Sequence, residues 1–583
     1  MPDRTAPDRL PPSREAALSL LTARGEPYEL VDAPTARGIE RVFTNAPVSL
    51  RQLYTDNLGD ETFIVYEHER YTFAEAWRRA SAIGRVLVGK GVRPGDRVAI
   101  SMRNYPEWML TFCAVTSIGG VVVAMNSLWT ADEMEYALDL TAAAVIVVDQ
   151  ERLDRLAECS IEHSVSVLVV RPTGAVPSHA GRGRHPVDAL SSLVEAAGSV
   201  EMPEASIDPD DPATIVFTSG STGHPKGVLS THRSVLSALL SWEVDSAQAA
   251  MRAPRPNAST VPEGAGTVKR RPVALLGVPL FHVLGLNGVF LSSYRSRRTV
   301  VCMYKWDPEV AVDLIEREAV TAVNAPPAMT GDLVRVAASR DRDLSSLAVV
   351  GGGGAARAPE QVRQIAGAFA RAVPSTGWGM TETNAIGTTI AGSDYLEHPG
   401  SAGRCLAVMQ LRVVDDLGGE VPAGERGELQ VRGTAMFREY WNRPDATAEA
   451  LTADGWFRTG DVAVIDGEGY LYIVDRIKDL IIRGGENIGC GGVEAVLLEH
   501  PDVFEAAVFA VPDDRLGEEV GATVHGRPGL DLEALREFAR SRLPRHEVPR
   551  YIWVSDVPLP RTGSGKLFKR QLRDAAVGSL DET

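Results

Sequence analysis

An α/β fold, with a large body of parallel-rich sheets covered by helices and a smaller α+β unit behind it, is predicted from three features of this sequence. The chain has 583 residues, more than one hydrophobic core supports, so at least two domains are expected. From about residue 60 to 475, short β-rich runs alternate with amphipathic helical stretches, as parallel strands covered on both faces require. Near residue 475 the pattern shifts to a compact mixture of helix and strand. The expected divisions are an accessory arm at 1–45, a large unit at 46–475 and a small unit at 476–583.

In the arm, Pro12 and Ser13 open a predicted helix that runs to about Arg24. The strands of the large unit are "RVAISM", "AAVIVV", "SVLVV", "ATIVF", "VALLGV", "AVTAVNA" and "LAVVGG". From Trp108 to Ala131 no residue is charged, which approaches membrane length. Gly119-Gly120 interrupts that stretch, so a buried helix and then a buried strand "VVVAM" are predicted, and no membrane span. Residues 173–187 and 250–270, rich in Gly, Pro and Ala, are expected as flexible surface insertions. The small unit carries a helix in "GVEAVLLEH", a strand "EAAVFAV" and a helix in "LEALREFARSRL".

Composition narrows the function. The net charge of −17 argues against a general nucleic-acid binder. Five scattered cysteines with no CxxC pair suit a reducing compartment and provide no zinc site. The first residues contain no unbroken apolar stretch of the kind a secretory signal has, so a cytoplasmic protein is expected.

The densest chemical signal is "TSGSTGHPKG" at 218–227, directly after the apolar run "ATIVF". Glycines let backbone N–H groups converge, hydroxyls add donors and a lysine adds charge, which together suit phosphate. A plain surface turn has a similar Gly/Ser content, but not this density beside a lysine. The loop is not of the G-x-x-x-x-G-K-[ST] kind: Pro225 stands at the second glycine and Gly227 at the metal-binding hydroxyl. Candidate phosphate contacts are Thr218, Ser219, Gly220, Ser221, Thr222, Gly223 and Lys226.

With four further motifs in order, the sequence resembles the adenylate-forming superfamily, in its fatty- or aryl-acid CoA ligase branch. The motifs are "GWGMTET" (377–383), "GWFRTGD" (455–461), "VDRIKDLIIRGGENI" (474–488) and "PRTGSGKLFKR" (560–570). The resemblance implies a small mobile C-terminal lid, ATP and Mg2+, a small carboxylic acid as substrate and CoA as acceptor. The reaction implied is attack of the carboxylate on the α-phosphate, release of pyrophosphate and transfer of the acyl group to a thiol.

The same resemblance assigns roles. Lys566 is the expected cation between carboxylate and phosphate. A unit charge pair near 4 Å gives roughly 4 kcal/mol at an effective dielectric of about 20, or some three powers of ten in rate. Glu382 is the expected magnesium ligand, Thr381 a donor to the α-phosphate, and Trp378 with Gly379 part of the adenine wall. Asp461 is expected on the ribose hydroxyls with Arg476 beside it. His282, in "VPLFHVLGL", is either a structural imidazole or a group near the acyl channel.

"GGGGAARAP" (351–359) formally fits G-x-G-x-x-A, but no acid follows at the distance a dinucleotide site wants. The resemblance implies instead that Gly353 and Gly354 line the adenine and acyl pocket. The "AARA" stretch departs from the "GGAPL" of the family. Lys478 is the expected pivot of the lid, and Gly484 and Gly485 are expected to line a pantetheine tunnel. Beyond them "GCGG" (489–492) stands where relatives read "YPAE", which predicts a more flexible segment and weakens the case for CoA. Cys490 is expected to be an inert small residue. A short tail follows Lys566, so a freestanding ligase is expected. A carrier-protein thiol or a nitrogen nucleophile as acceptor, a silent nucleotide-binding protein and a homodimer all remain compatible with the sequence.

Overall fold

The computed structural model describes residues 12–35, 37–218, 224–252, 271–563 and 565–581. Two nine-stranded sheets form its body. In the first, Pro212–Phe217, Val121–Ala124, Arg97–Ser101, Val145–Asp149, Ser166–Val170 and His185–Ala189 lie parallel in that spatial order. In the second, the parallel order is Val373–Gly377, Val349–Gly353, Ala322–Asn324, Val273–Leu276, Thr299–Cys302 and Thr62–Tyr66. Val145–Asp149 is buried at every position, as a strand covered on both faces must be, and its Val-Ile-Val-Val run provides the apolar surface for both.

The uncharged stretch divides as expected. The helix Pro106–Ser117 ends before Gly119, whose φ of +76° a helix cannot continue through, and the buried strand Val121–Ala124 follows. Among the described residues no helix is long and apolar enough to cross a membrane. The accessory arm begins with the helix Arg14–Leu21, whose N-cap Ser13 accepts from the Ala16 N–H. It lies along the long helix His232–Arg252, with Arg14 Nη2 3.1 Å from Asp245 Oδ1.

Two expectations are corrected. Residues 173–187 lie largely at the surface as expected, but they are partly regular: His179–Ala180 pairs with His185–Ala189, which adds a parallel strand to the first sheet. His185 and Val187 are buried there, because alternating side chains of the strand face the body. The strand–helix alternation also stops early. Met409–Val414, Arg426–Gly433, Phe457–Ile465 and Leu471–Arg476 form a four-stranded antiparallel sheet. Tight turns at Asp415–Gly419 and Asp466–Tyr470 close two of its hairpins. The other Gly/Pro-rich insertion falls mostly at 253–270, outside the described residues.

The small unit builds its own core. Ile481–Arg483, Gly517–Gly526, Val503–Asp513 and Tyr551–Ser555 share a sheet, and the helices Cys490–Leu498 and Leu532–Arg540 cover it through Val493, Leu497 and Leu535. The glycine-rich 489–492 stretch, expected to be flexible, forms the N-cap and first turn of a regular helix. Each glycine inside that turn costs about 1 kcal/mol relative to alanine. The buried Cys490, 1% exposed, anchors it.

Candidate active site

The phosphate-type loop rises from a rigid stem. Pro212–Phe217 pairs antiparallel with Gly227–Thr231, Phe217 opposite Gly227, and Thr218 N donates to Lys226 O at 3.0 Å. Ser219, Gly220, Ser221, Thr222 and Gly223 lie outside the described residues. Lys226 points its ammonium at the Tyr440 ring, 4.8 Å from the centroid. Tyr440 reaches that place because the short strand Glu439–Tyr440 pairs with Gly227–Thr231, Val228 opposite Tyr440.

Lys566 enters the same cleft from the small unit. Its loop is a tight turn in which Thr562 N donates to Lys566 O at 2.7 Å and Gly565 N to Thr562 O at 2.9 Å. Two glycines let this turn pass between the sheets. A Cβ on Gly563 would lie 3.0 Å from Leu128 Cδ1, and one on Gly565, at φ +83°, would lie 3.2 Å from Met329 Sδ. The lysine side chain ends beneath Gly354, where a Cβ would lie 3.4 Å from Lys566 Cε. Burial first, then the Arg476 guanidinium, pushes the Lys566 ammonium down to about 8, while Asp461 and Glu382 oppose the shift. Lys566 is thus an incompletely neutralised cation, half-buried in the cleft.

Glu382 sits in the 3-10 turn Thr381–Thr383 and is 5% exposed. Its Oε1 accepts from the Tyr440 hydroxyl at 2.7 Å, and its backbone carbonyl accepts from Phe437 N at 2.7 Å. Burial raises its carboxyl, and the Tyr440 bond, Arg476 and Lys226 hold it down. No group of three His, Cys, Asp or Glu side chains able to hold a metal occurs among the described residues. One carboxylate with an oxygen not taken by Tyr440 still fits magnesium, which is bound by one or two carboxylates together with substrate phosphates and water.

Asp461 and Arg476 face each other because their hairpin register places them directly opposite. Arg476 Nε lies 3.2 Å from Asp461 Oδ1, and the Trp378 indole N–H donates to Asp461 Oδ2 at 2.8 Å. Asp461 is 4% exposed, and burial raises its carboxyl against the pull of Arg476 and Trp378. Trp378 therefore orients Asp461, an arrangement that motif reading did not reveal. Gly353 and Gly379 allow close backbone packing: a Cβ would meet Gly377 O at 2.8 Å or Ala385 O at 2.4 Å. In the "AARA" departure Arg357 is buried, its Nη1 donating to Thr330 Oγ1 at 2.6 Å.

His282 lines a small cavity of about 50 Å³ together with Asn126, Phe217, Thr218 and Thr562. Burial first and Lys566 second push its imidazole down to about 3, so it is neutral near pH 7. The cavity joins the end of the phosphate-loop strand, the predicted acyl channel and the lysine loop. Such a junction outside the carboxyl ends of parallel strands is where ligands bind in open α/β sheets. Gly484 and Gly485 stand apart from this cluster. They form the turn between Ile481–Arg483 and Glu486–Ile488, with φ of +60° and +92°. Lys478 is exposed in the 3-10 turn Ile477–Asp479, next to Arg476. The cysteine thiol at 490 is raised by burial, in keeping with an inert residue.

Comparison with known proteins agrees with this geometry. Residues 54–441 match the family model described as AMP-binding enzyme, and residues 492–566 match that of the AMP-binding enzyme C-terminal domain. Feruloyl-CoA synthase of Amycolatopsis sp is 34% identical over 504 residues, which covers 86% of this chain and 93% of that protein. Long-chain-fatty-acid–CoA ligase FadD13 of Mycobacterium tuberculosis is 33% identical over 506 residues, covering 87% and 93%. The crystal structure of ATP-bound MatB from Rhodopseudomonas palustris aligns with a TM-score of 0.76 at 27% identity, over 91% of this chain and 99% of that one.

Proposed function

Because this chain belongs to the AMP-binding enzyme family, we propose that it is an ATP-dependent, AMP-forming acid–thiol ligase acting on an apolar acid, aliphatic or aryl. The observation that carries this reading is the Lys566 ammonium held in one cleft with Glu382, Asp461 and Arg476. The similarity to feruloyl-CoA synthase and to a long-chain-fatty-acid–CoA ligase supports both acid classes and CoA as acceptor.

In the first half-reaction the substrate carboxylate attacks the α-phosphorus of ATP, the P–O bond to the β-phosphate breaks, and pyrophosphate leaves with the electron pair. Lys566 lies between the two anions and offsets their repulsion as charge builds on the phosphoryl oxygens. Lys226 and the N–H groups of the phosphate loop hold the β- and γ-phosphates. Thr381 donates to the α-phosphate. Asp461 accepts from the ribose hydroxyls, held at its other side by Trp378 and Arg476. Glu382 would hold Mg2+, which neutralises phosphate charge when bound. His282 stays neutral and presents a polar edge to the carboxylate without adding a second cation.

In the second half-reaction the CoA thiol, as thiolate, attacks the acyl carbonyl and AMP leaves. The lysine loop occupies the cleft during the first step. The small unit therefore swivels at Lys478 to admit the thiol, and Gly484 and Gly485 leave room for the pantetheine arm. The cytoplasm is the compartment that suits this chemistry.

The test is acid-dependent pyrophosphate release across a series of aliphatic and aryl acids, followed by mass detection of the thioester after CoA is added. Pyrophosphate release with no thioester would move the acceptor to a carrier-protein thiol or an amine. No acid-dependent release with any acid would overturn the reading.

A further inference from the structure

Lys478, the proposed pivot, has a hydrogen bond running across it, from Cys490 on one side to Asp475 on the other. Asp475 stands three residues before Lys478, at the end of the strand Leu471–Arg476. Its Oδ1 accepts from Arg476 N at 2.7 Å, and its Oδ2 accepts from the backbone N–H of Cys490. Cys490 is the first residue of the helix Cys490–Leu498, so this N–H is one of the donors a helix leaves without an internal partner. A carboxylate at a helix amino end also meets the positive pole of the helix. The Cys490 thiol donates to Asp479 O at 3.2 Å, on the other side of the pivot.

The small residues at 489–491 make this approach possible. A Cβ on Gly489 would lie 3.1 Å from Val474 O and 3.2 Å from Val474 Cγ1, tighter than a side chain comfortably accepts. On Gly491 it would lie 3.6 Å from the same oxygen. Lys569, 2.6 Å from Glu494, adds a cation to the neighbourhood of Asp475. Asp475 is on the body side of Lys478 and Cys490 on the lid side. Rotation at Lys478 carries the donor away from its acceptor.

We propose that the Asp475 carboxylate and the Cys490 N–H form a latch across the pivot that holds the small unit with Lys566 in the cleft. Asp475 is a positioning residue for the adenylation step. The latch rests on the swivel reading given above. A charge-assisted hydrogen bond of this kind biases the two orientations about tenfold toward the lysine-in state.

The test uses the full chain and measures the half-reactions separately: acid-dependent ATP–pyrophosphate exchange, and thioester formation from supplied acyl-adenylate and CoA. Cys490→Pro removes the N–H at the first helical position, where proline is best tolerated. Cys490→Ala keeps it. Expected is a rise of about tenfold in the ratio of thioester formation to exchange for Cys490→Pro, the first rate rising and the second falling. For Cys490→Ala the ratio stays within about twofold. Both half-reactions falling together, or Cys490→Ala matching Cys490→Pro, overturns the latch. Lys478→Pro, which locks φ in the range a 3-10 turn uses, separates this from the swivel itself. It is expected to keep exchange and lose thioester formation. If it does so while Cys490→Pro leaves the ratio unchanged, the latch alone fails. If it slows both halves alike, the swivel fails and the latch with it.

Discussion

The Tyr440 hydroxyl donates to Glu382 Oε1 at 2.7 Å, and the Lys226 ammonium stands 4.8 Å from the centre of the same ring. One side chain therefore sets both the acid expected to carry magnesium and the cation expected on the phosphates. Tyr440→Phe keeps the ring under Lys226 and removes only the donor to a buried carboxylate. Losing such a bond costs about 1–3 kcal/mol. Because Tyr440 holds the Glu382 carboxyl down against burial, its removal raises that carboxyl further. The acid limb of the pH profile for ATP–pyrophosphate exchange is expected to move to higher pH, with magnesium dependence shifted to higher concentration. An unmoved acid limb would separate Glu382 from this step.

Trp378→Phe removes the 2.8 Å bond to Asp461 Oδ2 and leaves Arg476 on Oδ1. One neutral-donor bond to a charged acceptor is worth about 1.5–3 kcal/mol, so the KM for ATP is expected to rise about tenfold or more. A 2′,3′-dideoxy nucleotide, which lacks the ribose diol, should lose this discrimination between wild type and variant. Equal effects on both nucleotides would place the role of Trp378 elsewhere.

Lys566 is expected to link protonation to nucleotide binding. Its ammonium is pushed down to about 8 by burial and by the Arg476 guanidinium. A lowered lysine favours the inserted, neutral form as pH rises through about 8 toward the ordinary lysine range, whereas the proposed chemistry needs the cation. Phosphates arriving beside it raise it again. ATP binding at about pH 9 should take up a fraction of a proton, visible as a dependence of binding heat on buffer ionisation enthalpy. Lys566→Met should abolish that uptake. It should also abolish exchange while sparing thioester formation from supplied acyl-adenylate.

Gly565 combines φ +83° with a neighbour, Met329 Sδ, 3.2 Å from a built Cβ. Gly565→Ala places a Cβ in a left-handed conformation that costs about 1–2 kcal/mol. The tip then loses its turn. Exchange is expected to fall about tenfold, with the melting temperature of the protein almost unchanged because the loop lies outside the cores. A matching loss of stability would assign the glycine a folding role.

His282 is held neutral, pushed down to about 3. The rate of exchange should therefore show no inflection near pH 6–7 that His282→Asn removes. An inflection there that disappears in the variant would make His282 a titrating participant.

The sequence by itself determined the two-body plan, the buried segment 108–124 and the order of the motifs. These depend on properties local to the chain: period, apolar runs, glycine breaks and the loop chemistry around Lys226 and Lys566. The 179–189 edge hairpin and the antiparallel sheet from Met409 to Arg476 were missed, because neighbouring strands give similar patterns whichever way they pair. Only the tertiary structure decided which partner each functional side chain meets. Tyr440 meets Glu382 across 58 positions, Trp378 meets Asp461 across 83, and Cys490 meets Asp475 across 15. Hydrogen bonds of that span depend on strand register and on how closely two backbones approach, quantities that exist only once the chain has folded.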